Sequence, residues 1–153
     1  MSTHSMIASE YTIGAERVTL GRTITEADIV MHAGQSGDFY PHHMDEQWCA
    51  TQPFGRRIAH GTLIIAVAVG LTTDTINPLS MSYGYDRVRF LAPVFIGDTI
   101  RCTVRIEAVR PHQRTPDEFA IVDESVLAVN QHDVPVLALT HLYLVHQQRP
   151  PVD

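Results

Sequence analysis

The stretch from Thr62 to Thr73 constrains this chain more than any other, because about a dozen residues pass without a charge or a turn signal. Its β-branched Ile64, Ile65, Val67 and Val69 also suit a buried strand, and periodicity does not separate helix from strand when every face is apolar. Length decides for a helix. A helix that is apolar all round has to be covered on all sides. The apolar run Leu63 to Leu71, interrupted by Gly70, is too short for a bilayer span, which takes about 20 residues. No membrane association is expected.

The cover comes from the second half of the chain. Thr99 to Glu107 alternates strictly, with Ile100, Cys102, Val104 and Ile106 on one face and Arg101, Thr103, Arg105 and Glu107 on the other. Ser82 to Phe90 alternates less cleanly. Phe119 to Val129 and Val134 to Val145 read as two more long strands, joined at Asn130-Gln131-His132-Asp133. Arg110 to Glu118, with two prolines, reads as a loop. An early strand is expected near Tyr11 to Ile13, and another near Val18.

The region between is helical. Thr25 reads as an N-cap, with Asp28 three residues on as a weaker capping box and Ile24 and Ile29 as a hydrophobic staple. The helix this opens covers Glu26 to Gln35 and stops at Ser36-Gly37. Asp45 caps a short helix from Glu46 to Thr51 that Pro53 ends. The expected class is α+β: one domain over residues 1–153, its core about 11–145, with a flexible tail at 147–153. One sheet of this size does not cover the central helix alone, so a homodimer or higher oligomer is expected.

Charge and cysteine usage exclude several classes. The formal net charge is −6 and no Lys/Arg cluster appears, so no nucleic-acid partner is expected. Cys49 and Cys102 are too few for a disulfide framework and show no metal spacing. Met1 to Glu10 lacks the pattern of a secretory signal, so a cytoplasmic location is expected.

Two segments carry candidate chemistry: Ser36-Gly37-Asp38-Phe39-Tyr40-Pro41-His42-His43-Met44-Asp45 and Phe54-Gly55-Arg56-Arg57-Ile58-Ala59-His60-Gly61-Thr62. In the first, Pro41 fixes its own φ and pushes Tyr40 toward extended geometry, so the loop holds Asp38 and His43 five residues apart. A carboxylate and an imidazole around one small molecule are the equipment for moving protons on water. Spacing alone leaves a blander reading open, in which Asp38 caps a turn and His43 is a satisfied surface histidine. In the second, Gly61 opens the apolar helix, where free N–H groups and the helix dipole can polarise a carbonyl. The same glycine equally suits close packing. His42, His43, Asp45 and His60 have no HExxH or Cys/His ligand spacing, so no metal is expected.

These segments resemble the paired motifs of the MaoC-like dehydratase and (R)-specific enoyl-CoA hydratase family, Ser-Gly-Asp-x-Asn-Pro-x-His-x-Asp and Phe-Gly-x-x-Ile-x-His-Gly. Thr25, Asp28 and the turn Pro93-Val94-Phe95-Ile96-Gly97-Asp98 extend the resemblance over roughly Tyr11 to Val145. It implies a hotdog fold, in which a long antiparallel sheet wraps the central helix beneath an overhanging segment at Thr25 to Phe54. It also implies a dimer with the site near the subunit interface. By that likeness Asp38 and His43 hold and activate water for attack at C3 of an enoyl-thioester, giving an (R)-3-hydroxyacyl thioester, or run the reverse dehydration. Gly61 N–H would hold the thioester carbonyl, with Ser36, Tyr40, Pro41 and His60 in support. No cofactor is expected beyond the CoA of the substrate.

Two departures stand out. Tyr40 replaces the family's usual Asn, and a phenol does not copy an amide's paired donor and acceptor. Arg57 stands where Pro is common, and Arg57, Arg87 and Arg89 are candidate contacts to CoA or an acidic acyl group. A hotdog thioesterase is the competing enzyme class, but Thr62 to Leu71 offers no carboxylate. A non-catalytic acyl-thioester-binding subunit is the competing non-enzyme.

Overall fold

The computed structural model describes residues 2, 3 and 5–149. Its elements run in the order β1 (Ser2–Thr3), a 3-10 turn (Ala8–Glu10), β2 (Glu16–Val18), β3 (Arg22–Thr23), α1 (Glu26–Ser36), α2 (Pro41–Met44), α3 (Glu46–Cys49), α4 (Gly61–Leu71), a 3-10 turn (Thr72–Asp74), β4 (Thr75–Ile76), β5 (Ser80–Phe90), β6 (Thr99–Pro111), β7 (Phe119–Val129) and β8 (Pro135–His146). A six-stranded sheet takes the order β2-β6-β7-β8-β5, with β3 also on β6, and all its pairs are antiparallel. β1 and β4 form a separate parallel pair.

The alternation in β6 does what its pattern dictates. Ile100, Cys102 and Val104 are all but fully buried and join Val126, Ala128, Leu137 and Leu139 against Leu63, Ile64, Val67 and Ala68 of α4. Each valine, leucine or isoleucine among them contributes roughly 1.5–3 kcal/mol by leaving water. Both cysteines are free and buried.

The central helix is covered on one side only. Thr62, Ala66 and Gly70, four residues apart and so on one stripe, remain exposed. The outer edge of β5 has no strand partner among the described residues, and Met81, Tyr83, Tyr85 and Phe90 along it are exposed.

Several boundaries differ from the sequence expectations. Tyr11 to Ile13 is not a strand: Gly14, at φ 86°, turns the chain there, and the Tyr11 hydroxyl accepts from Asn77 Nδ2 at 2.9 Å. β6 continues through Arg110 and Pro111, which pair with Ile121 and Ala120, because a register shift between Ile106 and Ala108 lets the ladder resume. Proline is tolerated there, at the end of the strand. α3 stops at Cys49, with turns beyond it, and α2, opened by Pro41, lies where a loop was expected. Within the expected tail, Gln147 N donates to Glu118 O at 2.8 Å and Arg149 bonds Glu10 at 2.9 Å. Residues 150–153 of that tail lie outside the described residues.

Candidate active site

The first segment is built outward from the end of α1. Thr25 and Asp28 form a full capping box, with Thr25 N donating to Asp28 Oδ2 at 2.8 Å. At the other end Gly37 takes the left-handed conformation at φ 77°, and its N–H closes on Ala33 O at 2.8 Å. Ser36 Oγ donates to His32 O at 2.7 Å and accepts from Asp38 N at 3.2 Å. Asp38 Oδ1 accepts from Tyr40 N at 3.2 Å, a local turn bond typical of aspartate. Asp38 is thus held at both ends of its residue while its side chain stays half exposed.

Tyr40 is extended, as the following proline requires, and Pro41 starts α2. That single turn carries His43 inward until only 4% of it is exposed. Its Nδ1 donates to Ile58 O at 2.7 Å, which leaves Nε2 as the lone-pair nitrogen of the neutral ring. Nε2 faces Asp38 Oδ2 across 3.8 Å. Ile58 is itself pinned, its N–H on His42 O at 2.9 Å and its backbone bridged to Phe95.

Burial is the main influence on His43 and holds its pKa below the ordinary imidazole value, against the pull of the Ile58 carbonyl. His60 and His42 push the same way as burial, whereas Asp38 opposes it. His43 is therefore a neutral base at pH 7.

The second segment meets the first at His60, the N-cap of α4. Its ring is 1% exposed and stacks on His43 with centroids 3.7 Å apart. Nε2 donates to Asp38 O at 2.9 Å, while Nδ1 is buried without a partner. Gly61 follows at the helix tip, where a Cβ would lie 2.5 Å from Phe90 Cζ. Close packing and a free helix N-terminus thus coexist at this glycine.

Asp38, His43 and His60 place ligand atoms within 4.8 Å of one another. The two rings are stacked at 23°, however, so their in-plane lone pairs run in separate planes rather than converging on one ion at about 2 Å. The geometry suits proton transfer better than metal binding.

Of the other sequence candidates, Tyr40 is 56% exposed and turns its ring onto His42 and Trp48. Arg57 is locked between Glu26 (2.7 Å) and Glu46 (3.2 Å), clamping α1 to α3. Arg87 and Arg89 lie on exposed β5, and neither bonds Asp38, His43 or Gly61 among the described residues. Two contributors escaped the sequence reading. His32 Nε2 meets Thr62 Oγ1 at 2.8 Å, and Phe90 covers Gly61.

The sheet, the single wrapped helix and this loop define a hotdog domain of MaoC type. Residues 8–126 match the model of the MaoC like domain, and the chain belongs to that family. It is 44% identical over 110 residues to "Protein MaoC" of Klebsiella aerogenes, a match covering 70% of this chain and 32% of that protein. This chain thus spans about a third of the Klebsiella relative. It is 33% identical over 99 residues to an "(R)-specific enoyl-CoA hydratase" of Rhodospirillum rubrum, covering 65% and 69% of the two chains. In structure it matches a monoamine oxidase regulatory protein from Archaeoglobus fulgius with a TM-score of 0.86 at 28% identity, over 94% of this chain and 96% of that one. A Mycobacterium tuberculosis protein with a double hotdog fold matches with a TM-score of 0.80 at 18% identity, over 96% of this chain and 47% of that one. That likeness concerns the fold alone.

Proposed function

We propose that this protein is a hydro-lyase that adds water to a trans-2-enoyl thioester to give an (R)-3-hydroxyacyl thioester, or runs the reverse dehydration. One observation carries the reading: Asp38 Oδ2 and His43 Nε2, two acceptors, face each other across 3.8 Å. Neither donates to the other, and a gap of that width fits one water giving a proton to each. The relatives named as hydratases and dehydratases support the same chemistry.

In this mechanism the thioester carbonyl sits at the tip of α4, against Gly61 N–H. The water oxygen attacks C3 while one of its protons passes to the Asp38–His43 pair. Charge builds on the carbonyl oxygen, where the helix tip stabilises it. The proton then moves to C2, leaving hydroxyl on C3 and hydrogen on C2. His60 fixes both partners, one by stacking and one through the Asp38 carbonyl. No resident cofactor enters, and the carrier is CoA or an acyl carrier protein.

The working unit of this reading is a homodimer. The bare edge of β5 can pair with itself about a two-fold axis, and the small-residue stripe Thr62, Ala66, Gly70 permits close approach of a second α4.

Incubation with crotonyl-CoA tests the proposal. Loss of the conjugated absorbance without release of thiol is the expected result; release of thiol indicates a thioesterase, and no change indicates a binding subunit. Asp38→Asn and His43→Ala are each expected to lower kcat at least ~10²-fold, the low end for loss of acid-base catalysis. Near-normal turnover in either variant moves the chemistry elsewhere.

A further inference from the structure

Four histidines stand in a row through the site. His42 meets His43 with ring centroids 4.0 Å apart, His43 stacks on His60 at 3.7 Å, and His60 meets His32 at 4.9 Å and 55°. The reaction above employs His43 and His60. His32, at the far end of the row, has no part in it. It lies on α1 three residues beyond buried Ile29, on the same face, and is half-buried.

Both backbone ties of Asp38 lead back to this residue. Asp38 N donates to Ser36 Oγ at 3.2 Å, and Ser36 Oγ donates to His32 O at 2.7 Å. The Asp38 carbonyl accepts from His60 Nε2 at 2.9 Å, and the His60 ring rests against the His32 ring. The His32 ring is held in turn at the tip of α4. Its Nε2 lies 2.8 Å from Thr62 Oγ1, a hydrogen bond that either atom can donate. Thr62 is the residue after Gly61, which opens the helix. One side chain on α1 therefore reaches the helix tip and braces the imidazole that holds the Asp38 carbonyl.

Asp38 depends on such a brace. Its side chain is half exposed, and Oδ1 is spent on Tyr40 N within the same loop. The 3.8 Å from Oδ2 to His43 Nε2 is therefore set by where the Asp38 backbone is held. A misplacement of about 1 Å in catalytic groups can cost about a hundredfold in rate. The electrostatics favour a neutral brace. Burial lowers the pKa of His32, His60 adds to the effect, and Asp38 opposes it.

We infer that His32 is a positioning residue for the proposed hydration: bonded to Thr62 and packed on His60, it holds Asp38 at the distance from His43 that one water bridges. The inference rests on the hydratase reading and adds a residue to that same site.

Kinetics with crotonyl-CoA separate this role from simple packing of α1 on α4. His32→Phe keeps a ring against His60 and loses the bond to Thr62. It is expected to lower kcat about tenfold and to leave KM within about twofold, because Gly61 is untouched. His32→Gln, whose amide can give or take the bond to Thr62, is expected to recover most of the loss. Thr62→Val removes the same bond from an exposed position and is expected to match His32→Phe, with no further loss in the double variant. It carries the test should His32→Phe fail to fold.

The deciding comparison is made in Asp38→Asn. A residue that acts by placing the Asp38 carboxylate has nothing to place once that group is gone. His32→Phe and Thr62→Val should then add nothing to the loss already caused by Asp38→Asn. An equal loss in both backgrounds, a rise in KM in place of the fall in kcat, or no recovery in His32→Gln overturns the inference. The brace also has a readout without chemistry. Exchange of the His60 Nε2 proton with solvent, followed by NMR, reports its bond to Asp38 O and is expected to quicken about tenfold in Thr62→Val. Unchanged exchange overturns the inference. Faster exchange in a protein that turns over no enoyl thioester supports the brace and overturns the hydratase reading alone.

Discussion

The imidazoles of His43 and His60 lie face to face, 3.7 Å between centroids and 23° from parallel, and both rings are almost wholly buried. Each ring donates one N–H to a carbonyl, His43 to Ile58 at 2.7 Å and His60 to Asp38 at 2.9 Å. The stack therefore joins the start of α4 to the Asp38–His43 loop, while the bond to Ile58 O fixes which nitrogen of His43 is free. Replacing His60 by Phe keeps a ring in the stack and removes the donor to Asp38 O. The Asp38 carbonyl is only partly buried, so loss of this bond costs about 0.5–1.5 kcal/mol. His60→Phe should lower the urea midpoint accordingly and reduce kcat more than it raises KM, because in the proposed mechanism the group it loosens acts on the water. An unchanged kcat would show that the stack alone positions Asp38.

The pH response follows from His43. Its pKa is held below the ordinary imidazole value of 6.5, chiefly by burial, so folding disfavours its protonated form. A group shifted in this direction contributes stability that is fully present above the unfolded value and declines as pH falls through about 6.5. The proposed mechanism needs the neutral Nε2, so the acid limb of kcat/KM should fall below pH 6.5. Activity that is instead lost as pH rises through about 6.5 would mean that His43 works as the imidazolium, and the roles of the pair would have to be exchanged.

Gly61 is held by two requirements that a pair of variants separates. A methyl there would lie 2.5–2.8 Å from the Phe90 ring, so the ring has to swing away in Gly61→Ala. Phe90 is 57% exposed and can do so at modest cost, and at the first position of α4 alanine gains only part of the about 1 kcal/mol it has over glycine in a helix interior. Stability should change little. Turnover should fall, because the methyl intrudes where the proposed mechanism docks the thioester carbonyl. Adding Phe90→Ala relieves the clash; if turnover then returns to that of Phe90→Ala alone, Gly61 serves packing and not the carbonyl.

The chain shows clearly how much of this architecture local chemistry writes. Thr25 and Asp28 announce α1, strict alternation from Ile100 to Ile106 announces β6, and Pro41 dictates the extended Tyr40 that swings His43 inward. The contacts that make the site were not legible, since each joins residues distant in sequence. The Ile58 carbonyl on His43 and the Phe90 ring on Gly61 exist only once α2, α4 and β5 have packed. The same holds for Glu124 and His141, which in sequence are two polar residues on separate strands and meet through the register of β7 with β8. Arg110 and Pro111, expected in a loop from Arg110 to Glu118, instead continue β6 because a bulge near Ile106 resets the pairing, and bulges leave little trace in residue pattern.

Arg57 tests how the overhang is fastened. Its guanidinium bonds Glu26 Oε1 at 2.7 Å and Glu46 Oε2 at 3.2 Å, and the arginine side chain is only 16% exposed. The mutual pairing raises the pKa of Arg57, the hydrogen bond to Glu26 first among the causes. A fixed charge committed to two carboxylates has little left for a CoA phosphate. Both glutamates are largely exposed, so each pair is worth at most about 1 kcal/mol. Arg57→Gln should therefore lower stability by about 1–2 kcal/mol and weaken further as a difference when salt is raised. Its effect on KM for crotonyl-CoA should stay within about twofold, well under the tenfold that 1.4 kcal/mol of lost binding produces. A tenfold or larger rise in KM with unchanged stability would instead make Arg57 a substrate contact and detach it from the clamp between α1 and α3.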